Sequence, residues 1–483
     1  MSDTPPPKDT ALIPTGSAAL TTRSSALVKR GLETLESIGG RVVRFPVDCS
    51  MGALYIRPLG DEPEEYQEWG EARGNVVVPR GKILHLYVNA EVAIDLSPLT
   101  SLNFDDLQEL DLSETSVSDA ELTFIAHLSG LKSLHLGDPE ISDDGLIHLK
   151  NLTELQELGL GNTSIGDTTL FHLRELKKLR RLWLHGTRIS GGGLVHLARL
   201  RMLEYLNLSN TQINHSELAC IRELSGLQNL NLGGTAITDA DLVYLSSLDR
   251  LKRLALHNNP IKGSGLANLQ NLPLLASLDL SRTKIDDSGL AAIQGLHGLQ
   301  TLDLSGTQIT DTGLVCLEGL TSLRELRFYG VNINGTGLAH LQGLSGLQIL
   351  DLSNTQITDV GLAYILGMSE LQSLKLSDTQ ITDDGMRHIR ELVNLQSLYL
   401  ASTQVGDVGL KHLRRLTTLQ SLNLRHTKIT DLGLENLGEL TQLTWLYVSG
   451  TQVSDAAINS LQEALPNCRV RTGDTREEKG GKE

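Results

Sequence analysis

Cysteines and aromatic residues are scarce in this chain, and long apolar runs are absent. Four of the 483 residues are cysteine, and Phe, Trp and Tyr together make up 4%. The positions of Cys49, Cys220, Cys316 and Cys468 do not favour any pairing, which excludes a disulfide-stapled fold and predicts a reducing, cytoplasmic location. No apolar segment is long enough to cross a membrane and residues 1–16 lack a signal-peptide pattern, so we expect no membrane partner.

Motifs that carry catalysis or bind phosphate are also missing. The sequence contains no HExxH, no paired CxxC, no Walker A loop and no GxSxG elbow. Six of the fourteen histidines share one helix position of the repeats described next, and helix packing explains them better than a ladder of metal ions. The net charge of −16 argues against nucleic-acid binding. We therefore predict no enzyme, no cofactor, no metal site and no nucleic-acid partner.

What the chain does contain is a repeat. Fifteen consecutive segments of 24 residues, each opening on leucine, fill residues 107–466 without insertion or deletion. The commonest unit reads LxxLxLSxTxITDxGLxxLxxLxx, as in residues 299–322, and Leu302 and Leu304 alternate with a polar residue as in a half-buried strand. A Ser, Thr, Asn or Asp at the twelfth place and leucines three apart after it predict a capped short helix. One such unit cannot bury its own leucines, so neighbouring units must stack.

This pattern resembles the leucine-rich repeat family, most closely its helix-bearing, cysteine-containing subclass and bacterial leucine-rich repeat proteins. The departure is the ninth place, Asn or Cys in most of the family, which is Thr in twelve repeats here. The resemblance implies an α/β leucine-rich-repeat solenoid, a curved horseshoe with a concave parallel β-sheet and short helices on the convex side. Because strands stack at ~4.8 Å and packed helices at roughly 8–10 Å, such a ladder must bend.

The ends of the chain differ from the repeats. We predict a disordered N-terminus over residues 1–16 and an N-terminal α/β cap with a degenerate first repeat over residues 17–106. The fifteen repeats follow at 107–466, and residues 467–483 form a C-terminal cap strand and a polar tail. Caps of this kind cover the apolar edge of the first and last repeats.

The sheet face of the repeats is the candidate binding surface. The third, fifth and seventh places of each unit point to the concave side, and six of the eight Trp and Tyr residues of the array stand there. Aromatic side chains have no core role on such a face and are preferred interface anchors. The predicted binding residues are Arg181, Trp183, His185, Tyr205, Arg327, Tyr329, Tyr399, Arg425, Trp445 and Tyr447.

Charge accompanies these aromatics. Residues 171–202 hold eight Lys and Arg residues against a single glutamate, and a second group of cations lies near Arg425. Between the two groups runs a charged row at the fifth place, in which Arg327 is expected to pair with both Asp303 and Asp351 and Lys375 with Asp351. Asp279 and Asp303 are like-charged neighbours, and solvation or contact with a basic partner explains them better than hydrolytic chemistry.

These observations predict a non-enzymatic protein–protein interaction scaffold that binds a protein or peptide partner, with an acidic or phosphorylated segment, on the concave face. One alternative, by family resemblance alone, is the substrate-recognition subunit of a ubiquitin-ligase-type complex, although no F-box is recognisable. Another is self-association through the hollow or through an open sheet edge.

Overall fold

A computed structural model describes residues 41–48, 50–59, 66–88, 95–213 and 217–473. These residues form two compact units, which divide between Leu227 and Gln228. The disordered segment predicted for 1–16, the rest of the predicted cap before residue 41 and most of the polar tail lie outside the described residues.

The first unit begins with five strands that are not repeats. Strand β2 pairs antiparallel with β3 and β5, and β1 pairs antiparallel with β4. Strand β5 then pairs in parallel with the first repeat strand, with Leu86 opposite Leu110, which is the 24-residue offset of the repeats themselves. The five strands are β1 (Arg41–Arg44), β2 (Ala53–Pro58), β3 (Gln67–Glu71), β4 (Asn75–Val78) and β5 (Lys82–Tyr87).

The repeats of the first unit each contribute one short parallel strand, and matching places of neighbouring repeats stand side by side, such as Leu158 and Leu182. The strands are β6 (Glu109–Leu112), β7 (Ser133–Leu136), β8 (Glu157–Gly159), β9 (Arg181–Trp183) and β10 (Tyr205–Asn207). The helices are α1 (Asp143–Leu146) and α2 (Asp167–Leu173), with 3₁₀ turns at Ser97–Ser101, Glu121–Ile125, Ile147–Asn151, Leu194–Arg199 and Leu218–Glu223.

The second unit repeats the same ladder, and β21 adds one more parallel strand beside β20. Its strands are β11 (Asn229–Asn231), β12 (Arg253–Ala255), β13 (Ser277–Asp279), β14 (Thr301–Asp303), β15 (Glu325–Arg327), β16 (Ile349–Asp351), β17 (Ser373–Lys375), β18 (Ser397–Tyr399), β19 (Ser421–Asn423), β20 (Trp445–Tyr447) and β21 (Arg469–Arg471). Its helices are α3 (Asp287–Leu290), α4 (Asp359–Leu362), α5 (Met386–Ile389), α6 (Asp407–Leu410), α7 (Asp431–Leu434) and α8 (Asp455–Ala464). Its 3₁₀ turns are Asp239–Leu245, Ser264–Asn271, Ala291–Ile293, Asp311–Leu317, Thr336–Leu341, Ala363–Ile365, Lys411–Arg415 and Glu435–Leu437.

The core of each unit is the set of leucines that the repeat predicts. In a typical strand the middle leucine is fully buried while its two neighbours are half-buried, as in Thr301–Asp303. The leucines of the helical segment, such as Leu314 and Leu317, are buried from the other side. The third, fifth and seventh places therefore line one face of the sheet, which we call the open face.

The threonine of the ninth place closes the turn after the strand. The hydroxyl of Thr307 donates to the carbonyl oxygen of Leu304 at 2.6 Å, and the other threonines of this place do the same within their own repeats. Asn259 also reaches the preceding repeat, where its amide group donates to the carbonyl oxygen of Leu232 and accepts from the backbone N–H of Thr235. The threonine thus keeps the turn bond of the family asparagine and gives up the bond to the neighbour.

Candidate binding surfaces on the open face of the sheet

The predicted binding residues fall in different units. Arg181, Trp183, His185 and Tyr205 belong to the first unit, and the remaining six belong to the second. We call the open face around Trp183 the amino-terminal surface and the open face of β17–β21 the carboxy-terminal surface. Each is described separately below.

The amino-terminal surface is centred on a pair of rings. The ring centroids of Trp183 and Tyr205, on neighbouring strands, are 5.0 Å apart, and both side chains are half-buried. The ring of His135 lies 5.3 Å from that of Trp183, although a whole strand separates them. It reaches across because the intervening residue is Gly159, where a Cβ atom would stand 2.4 Å from Nδ1 of His135. Sequence reasoning missed His135, whose signal was an aromatic side chain at the fifth place beside a glycine.

His185 does not present a charged group to a ligand. Its ring lies against Gly161, where an added Cβ would approach Cε1 to 2.1 Å. Burial lowers the pKa of His185, so the ring is neutral near pH 7. Within the described part of the chain, its buried Nδ1 has no hydrogen-bond partner. His185 therefore supports the sheet face by packing.

The excess of cations predicted for residues 171–202 is not a patch on the open face. Of the eight basic residues, Arg181 alone stands at an inward-facing place, and its Nη1 lies 3.3 Å from Glu157. Lys178 pairs with Glu154 of the preceding repeat at 2.6 Å. Arg174 places its guanidinium 3.7 Å from the ring centroid of Phe171. The prediction counted charge along the sequence, whereas the repeat distributes these residues around the unit and carboxylates from neighbouring repeats offset several of them.

A buried polar cluster, which sequence reasoning missed, lies at the start of the open face. The carboxylate of Glu109 is 2% exposed and accepts hydrogen bonds from Arg57, at 3.1 Å from Nε, and from the hydroxyl of Tyr66 at 2.8 Å. Nδ1 of His85 lies 3.3 Å from Oε2, the oxygen that accepts from Tyr66. Burial and the neighbouring carboxylate raise the pKa of Tyr66, which keeps the phenol protonated. The only sequence signal was a charged residue at an inward-facing place next to the cap.

A cavity of about 210 Å³ adjoins this cluster. It is lined by Arg57, Leu59, Ile83, Glu109, Lys132, Ser133, Gln156 and Glu157. Glu157 of its lining pairs with Arg181, which stands on the same strand as Trp183.

The charged row of the second unit pairs differently from the prediction. Nη1 of Arg327 lies 3.8 Å from Asp303, and the guanidinium also contacts Glu325 of its own strand. Asp351 instead accepts a hydrogen bond from the backbone N–H of Ser353 at 2.9 Å, and no ion pair joins it to Arg327 or Lys375 in the part of the chain that the structure describes. The expected pairing with Asp351 is thus wrong: Arg327 is directed to Asp303 and Glu325 instead.

Asp279 and Asp303 stand side by side on β13 and β14, and their pKa values are shifted in opposite directions. Burial alone would raise the pKa of Asp279, but His257 at 3.0 Å and hydrogen bonds from Ser281 lower it. Burial and the charge of Asp279 raise the pKa of Asp303. As in Asp351, one oxygen of each carboxylate accepts a hydrogen bond from the backbone N–H two residues further on, from Ser281 for Asp279 and from Ser305 for Asp303. The two aspartates therefore have a structural role.

The carboxy-terminal surface carries the densest group of aromatic and cationic side chains. Trp445 and Tyr447 of β20 are stacked with an interplanar angle of 13° and centroids 6.2 Å apart. Arg425 lies 4.7 Å from the centroid of Tyr447. Arg469 and Arg471 of β21 lie 5.2 and 5.4 Å from the centroid of Trp445. Sequence reasoning missed these two arginines because it placed them in a cap and not on the sheet face.

Two further predicted residues stand at the margins. Nζ of Lys375 lies 5.6 Å from the ring centroid of Tyr399, on the strand between Lys375 and Arg425, so Tyr399 joins the carboxy-terminal surface. Tyr329 is 52% exposed, and strands β16 and β17 separate it from Tyr399. The structure therefore does not bring Tyr329 into the carboxy-terminal surface.

The described residues offer few features of a thiol site, a metal site or a membrane-spanning segment. Cys220, Cys316 and Cys468 are free, and burial raises the pKa of Cys468 to about 11. Across residues 41–48, 50–59, 66–88, 95–213 and 217–473, no three His, Cys, Asp or Glu side chains are grouped as metal ligands. Over the same ranges, none of the helices combines the length and apolar character needed to span a bilayer.

Comparisons with known proteins agree with this architecture. A leucine rich repeat family profile matches residues 249–309, 273–332, 345–405 and 393–453. An internalin of Listeria monocytogenes is 26% identical over 64% of this chain and 89% of its own, with a TM-score of 0.51. A leucine-rich repeat protein of Leptospira interrogans is 20% identical over 80% of this chain and 88% of its own, with a TM-score of 0.50.

A second internalin of L. monocytogenes, internalin C2, is 32% identical over 43% of this chain and 84% of its own, with a TM-score of 0.36. A search of curated protein sequences finds no match. The repeat, the parallel ladder of strands with short helices, the profile matches and the first two solved structures lead to one conclusion: the chain is a leucine-rich repeat protein with the α/β solenoid fold.

Proposed function

We propose that this protein is a non-enzymatic scaffold that binds a protein or peptide partner on the open face of its sheets. The leucine-rich repeat fold supports protein interaction in general. The observation that carries the finer proposal is the placement of aromatic rings: Trp183 with Tyr205 in one unit, and Trp445 with Tyr447 in the other.

Rings at these places have no core to fill. The leucines of the strands are fully buried behind the sheet, whereas the four aromatic side chains are only half-buried on its open side. Half-buried Trp and Tyr lose little conformational entropy on binding and bury a large area, which makes them the commonest energetic anchors of protein interfaces.

The chemistry of the surfaces supports the rest of the proposal. The net charge of −16 opposes general binding to nucleic acid, and free cysteines suit a cytoplasmic protein.

Two alternatives stand beside this proposal. In the first, a second copy of this chain occupies the same face and the protein self-associates. For the ubiquitin-ligase alternative, the described residues between 41 and 88 supply strands and no helix pair of the kind that an F-box needs.

Affinity capture from a lysate of the native organism, followed by mass spectrometry, tests the proposal. We expect Trp183→Ala combined with Arg181→Glu, or Trp445→Ala, to reduce recovery of the same partner by about tenfold or more, since anchor residues cost at least ~2 kcal/mol when truncated. Tyr364→Ala removes an aromatic side chain from a helical segment and should leave recovery unchanged. Equal recovery by all folded variants would refute binding through the open face.

A further inference from the structure

The helical segments of the first unit carry an exposed apolar row on the side that faces away from the sheet. The row occupies the seventeenth place of the repeat, where Ile147, Phe171 and Val195 follow one another in consecutive repeats and are 42%, 41% and 53% exposed. In the other repeats this place holds alanine, an isolated valine or a polar residue. Bulky apolar side chains that lie side by side at the surface are a feature of interaction sites, whereas single ones are ordinary.

The ring of Phe171 is held in place by its neighbours. It meets the ring of His172 edge-on, with the centroids 5.6 Å apart, and that of His196 in the next repeat at 5.3 Å. The guanidinium of Arg174 lies 3.7 Å from its centroid. A ring fixed in this way loses little conformational freedom when a partner covers it, which favours its use as an anchor.

Cations surround this row. In the same three repeats, the seventeenth to twenty-fourth places hold six cations and two carboxylates. Lys178 pairs with Glu154 at 2.6 Å, so these two offset each other. The other carboxylate, Glu175, contacts Nε of Arg174 at 3.5 Å and Nζ of Lys177 at 3.3 Å. The six cations are Lys150, Arg174, Lys177, Lys178, Arg199 and Arg201.

One carboxylate therefore stands against five cations. Lys177, Arg174 and Arg199 all lower the pKa of Glu175, which places the three charges around it. Arg201 has no ion pair with any residue that the structure describes. The excess of positive charge over residues 171–202 thus belongs to the helical side of the unit and not to its open face. We call these five cations, together with Ile147, Phe171 and Val195, the basic helix surface.

We propose that the basic helix surface is a second docking site, which binds an acidic amphipathic helix of a protein partner. The apolar side chains of that helix cover Ile147, Phe171 and Val195, and its carboxylates lie beside the flanking cations. This inference goes beyond the proposed function, because it concerns the helical side of the first unit and not the open face.

The spacing of the apolar row indicates the conformation of the bound segment. Helical segments of neighbouring repeats pack roughly 8–10 Å apart, so the three side chains recur at about that distance. A helix brings residues i and i+7 to the same face about 10.5 Å apart, which matches the row. An extended segment presents every second residue to one face, at about 6.6 Å or about 13 Å, and does not match it. The acidic character follows from the five cations, which attract carboxylates and repel a basic helix.

A protein helix suits this surface better than a membrane or a nucleic acid. Insertion into a bilayer requires side chains that protrude, whereas the ring of Phe171 is packed against His172, His196 and Arg174, and less than half of it is exposed. A nucleic acid would use the cations but leave the apolar row uncovered.

The test uses the full-length chain and a fluorescein-labelled helical peptide with leucine at every seventh residue and glutamate and alanine at the others. Binding is followed by fluorescence anisotropy, and we expect the affinity to fall as NaCl is added. Two matched peptides, one with the leucines replaced by alanine and one with the glutamates replaced by glutamine, should each bind at least about tenfold more weakly. Each of them lacks one of the two kinds of contact.

The apolar contact is tested by Phe171→Ala, which should weaken binding by at least about tenfold because it removes the central anchor. Val315→Ala is its control, at the same place of a repeat in the second unit and with 42% exposure, and should leave the affinity unchanged. Circular dichroism verifies that both variants fold.

The charge contact is tested by Arg199→Glu with Arg201→Glu, which should also weaken binding by about tenfold or more because attraction becomes repulsion. Arg282→Glu with Lys284→Glu changes the net charge by the same amount at two exposed residues of the second unit. This second double variant should bind the peptide as the wild type does.

Four outcomes overturn the proposal. The first is no binding of the leucine–glutamate peptide to the wild type, and the second is equal weakening by the variants and their controls. The third is binding to phosphatidylcholine–phosphatidylserine vesicles, or to a single-stranded oligonucleotide, that is tighter than peptide binding and is lost in Phe171→Ala. The fourth is a dimer, seen by light scattering and lost in Phe171→Ala, which would assign the surface to a second copy of this chain.

An open-face variant separates this proposal from the proposed function. Trp183→Ala should reduce partner capture and leave peptide binding unchanged. If it abolishes peptide binding, the peptide occupies the open face and the assignment to the helical side is wrong. If the peptide binds as expected but no open-face variant affects capture, the basic helix surface stands and the proposed use of the open face is wrong.

Discussion

The carboxylate of Asp287 caps the start of a helical segment that belongs to the next repeat. One oxygen accepts the backbone N–H of Thr310 at 2.7 Å and the other accepts its hydroxyl at 2.6 Å. Five further aspartates of the thirteenth place bind the twelfth residue of the following repeat in the same way: Asp119 to Ser142, Asp167 to Ser190, Asp359 to Thr382, Asp407 to Thr430 and Asp431 to Ser454. The Asp of the ITD motif therefore joins repeats, beyond favouring its own helix start.

Removing one of these carboxylates should destabilise the second unit. We expect Asp287→Ala to lower the free energy of unfolding by about 1–2 kcal/mol, because the half-buried N–H of Thr310 loses its acceptor. Asp384→Ala, at an exposed residue whose carboxylate pairs with Arg387, should change it by less than about 0.5 kcal/mol. Urea denaturation of both variants measures the difference, and equal losses would contradict the capping role.

The same contacts predict how stability depends on pH. Burial alone would raise the pKa of Asp287, but hydrogen bonds from Thr310 and Thr312 outweigh it and lower the pKa in the folded state. The stabilisation is therefore fully present above the unfolded pKa of about 4 and is lost as pH falls through the lower folded value. From pH 5 to 7, which is at least about one pH unit above the unfolded pKa, the urea midpoints of wild type and Asp287→Ala should differ by a constant amount. In acid, below the folded pKa, the two midpoints should converge. A gap that persists unchanged at the lowest pH would argue against this linkage.

Asp279 and Asp303 should respond oppositely to neutralisation. The pKa of Asp303 is raised by burial and by Asp279, so its ionised form destabilises the fold at pH 7. Asp303→Asn should therefore stabilise the protein by about 0.2–1 kcal/mol, while Asp279→Asn should destabilise it by a similar amount because it weakens the contact with His257. The turn bond survives in either variant, because Asn207 and Asn423 accept it at the same place in other repeats. Thermal midpoints at pH 7 check the signs; a loss in both variants would show that the pairing with Arg327 dominates.

The repeat explains why most of the fold could be predicted and why part of the surface could not. A period of 24 residues fixes which side chains are buried, so the strands, the helix starts and the open face follow from the sequence. Contacts between repeats depend on which residues happen to be neighbours at the same place. His135 reaches Trp183 only because Gly159 lies between them, and Asp351 is held by Ser353 although Arg327 stands next to it. The Glu109 cluster needs strands of the cap whose pairing has no repeat to predict it.

The eighth place of the repeat has a left-handed backbone, with φ near +55° at Asn354 and Ser402. Asparagine tolerates this conformation better than serine does, so Ser402→Asn should raise the free energy of unfolding by about 0.5 kcal/mol. Ser421→Asn makes the same change within an extended strand and should give no gain. Differential scanning calorimetry of the two variants distinguishes the backbone effect from a general effect of asparagine.

The Glu109 cluster should be the most sensitive polar group of the first unit. Glu109→Ala leaves Arg57 and Tyr66 without their common acceptor and removes the carboxylate beside His85, and we expect a loss of about 3–5 kcal/mol. Glu157→Ala removes the half-buried partner of Arg181 and should cost less than about 1 kcal/mol. Urea unfolding followed by hydrogen exchange on strands β2 and β5 locates the effect. Similar costs for the two substitutions would show that the buried cluster contributes little.

The capping aspartates give each ladder a direction. Every such carboxylate serves the repeat that follows it, so a nascent chain emerging from the ribosome already holds the acceptor that each new helix start requires. Loss of repeats from the carboxyl side would leave the last aspartate without a helix start to accept from. Loss from the amino side would instead leave the first remaining helix start without its acceptor. Lengthening or shortening such an array by whole repeats is therefore easier at its carboxyl side, the side synthesised last.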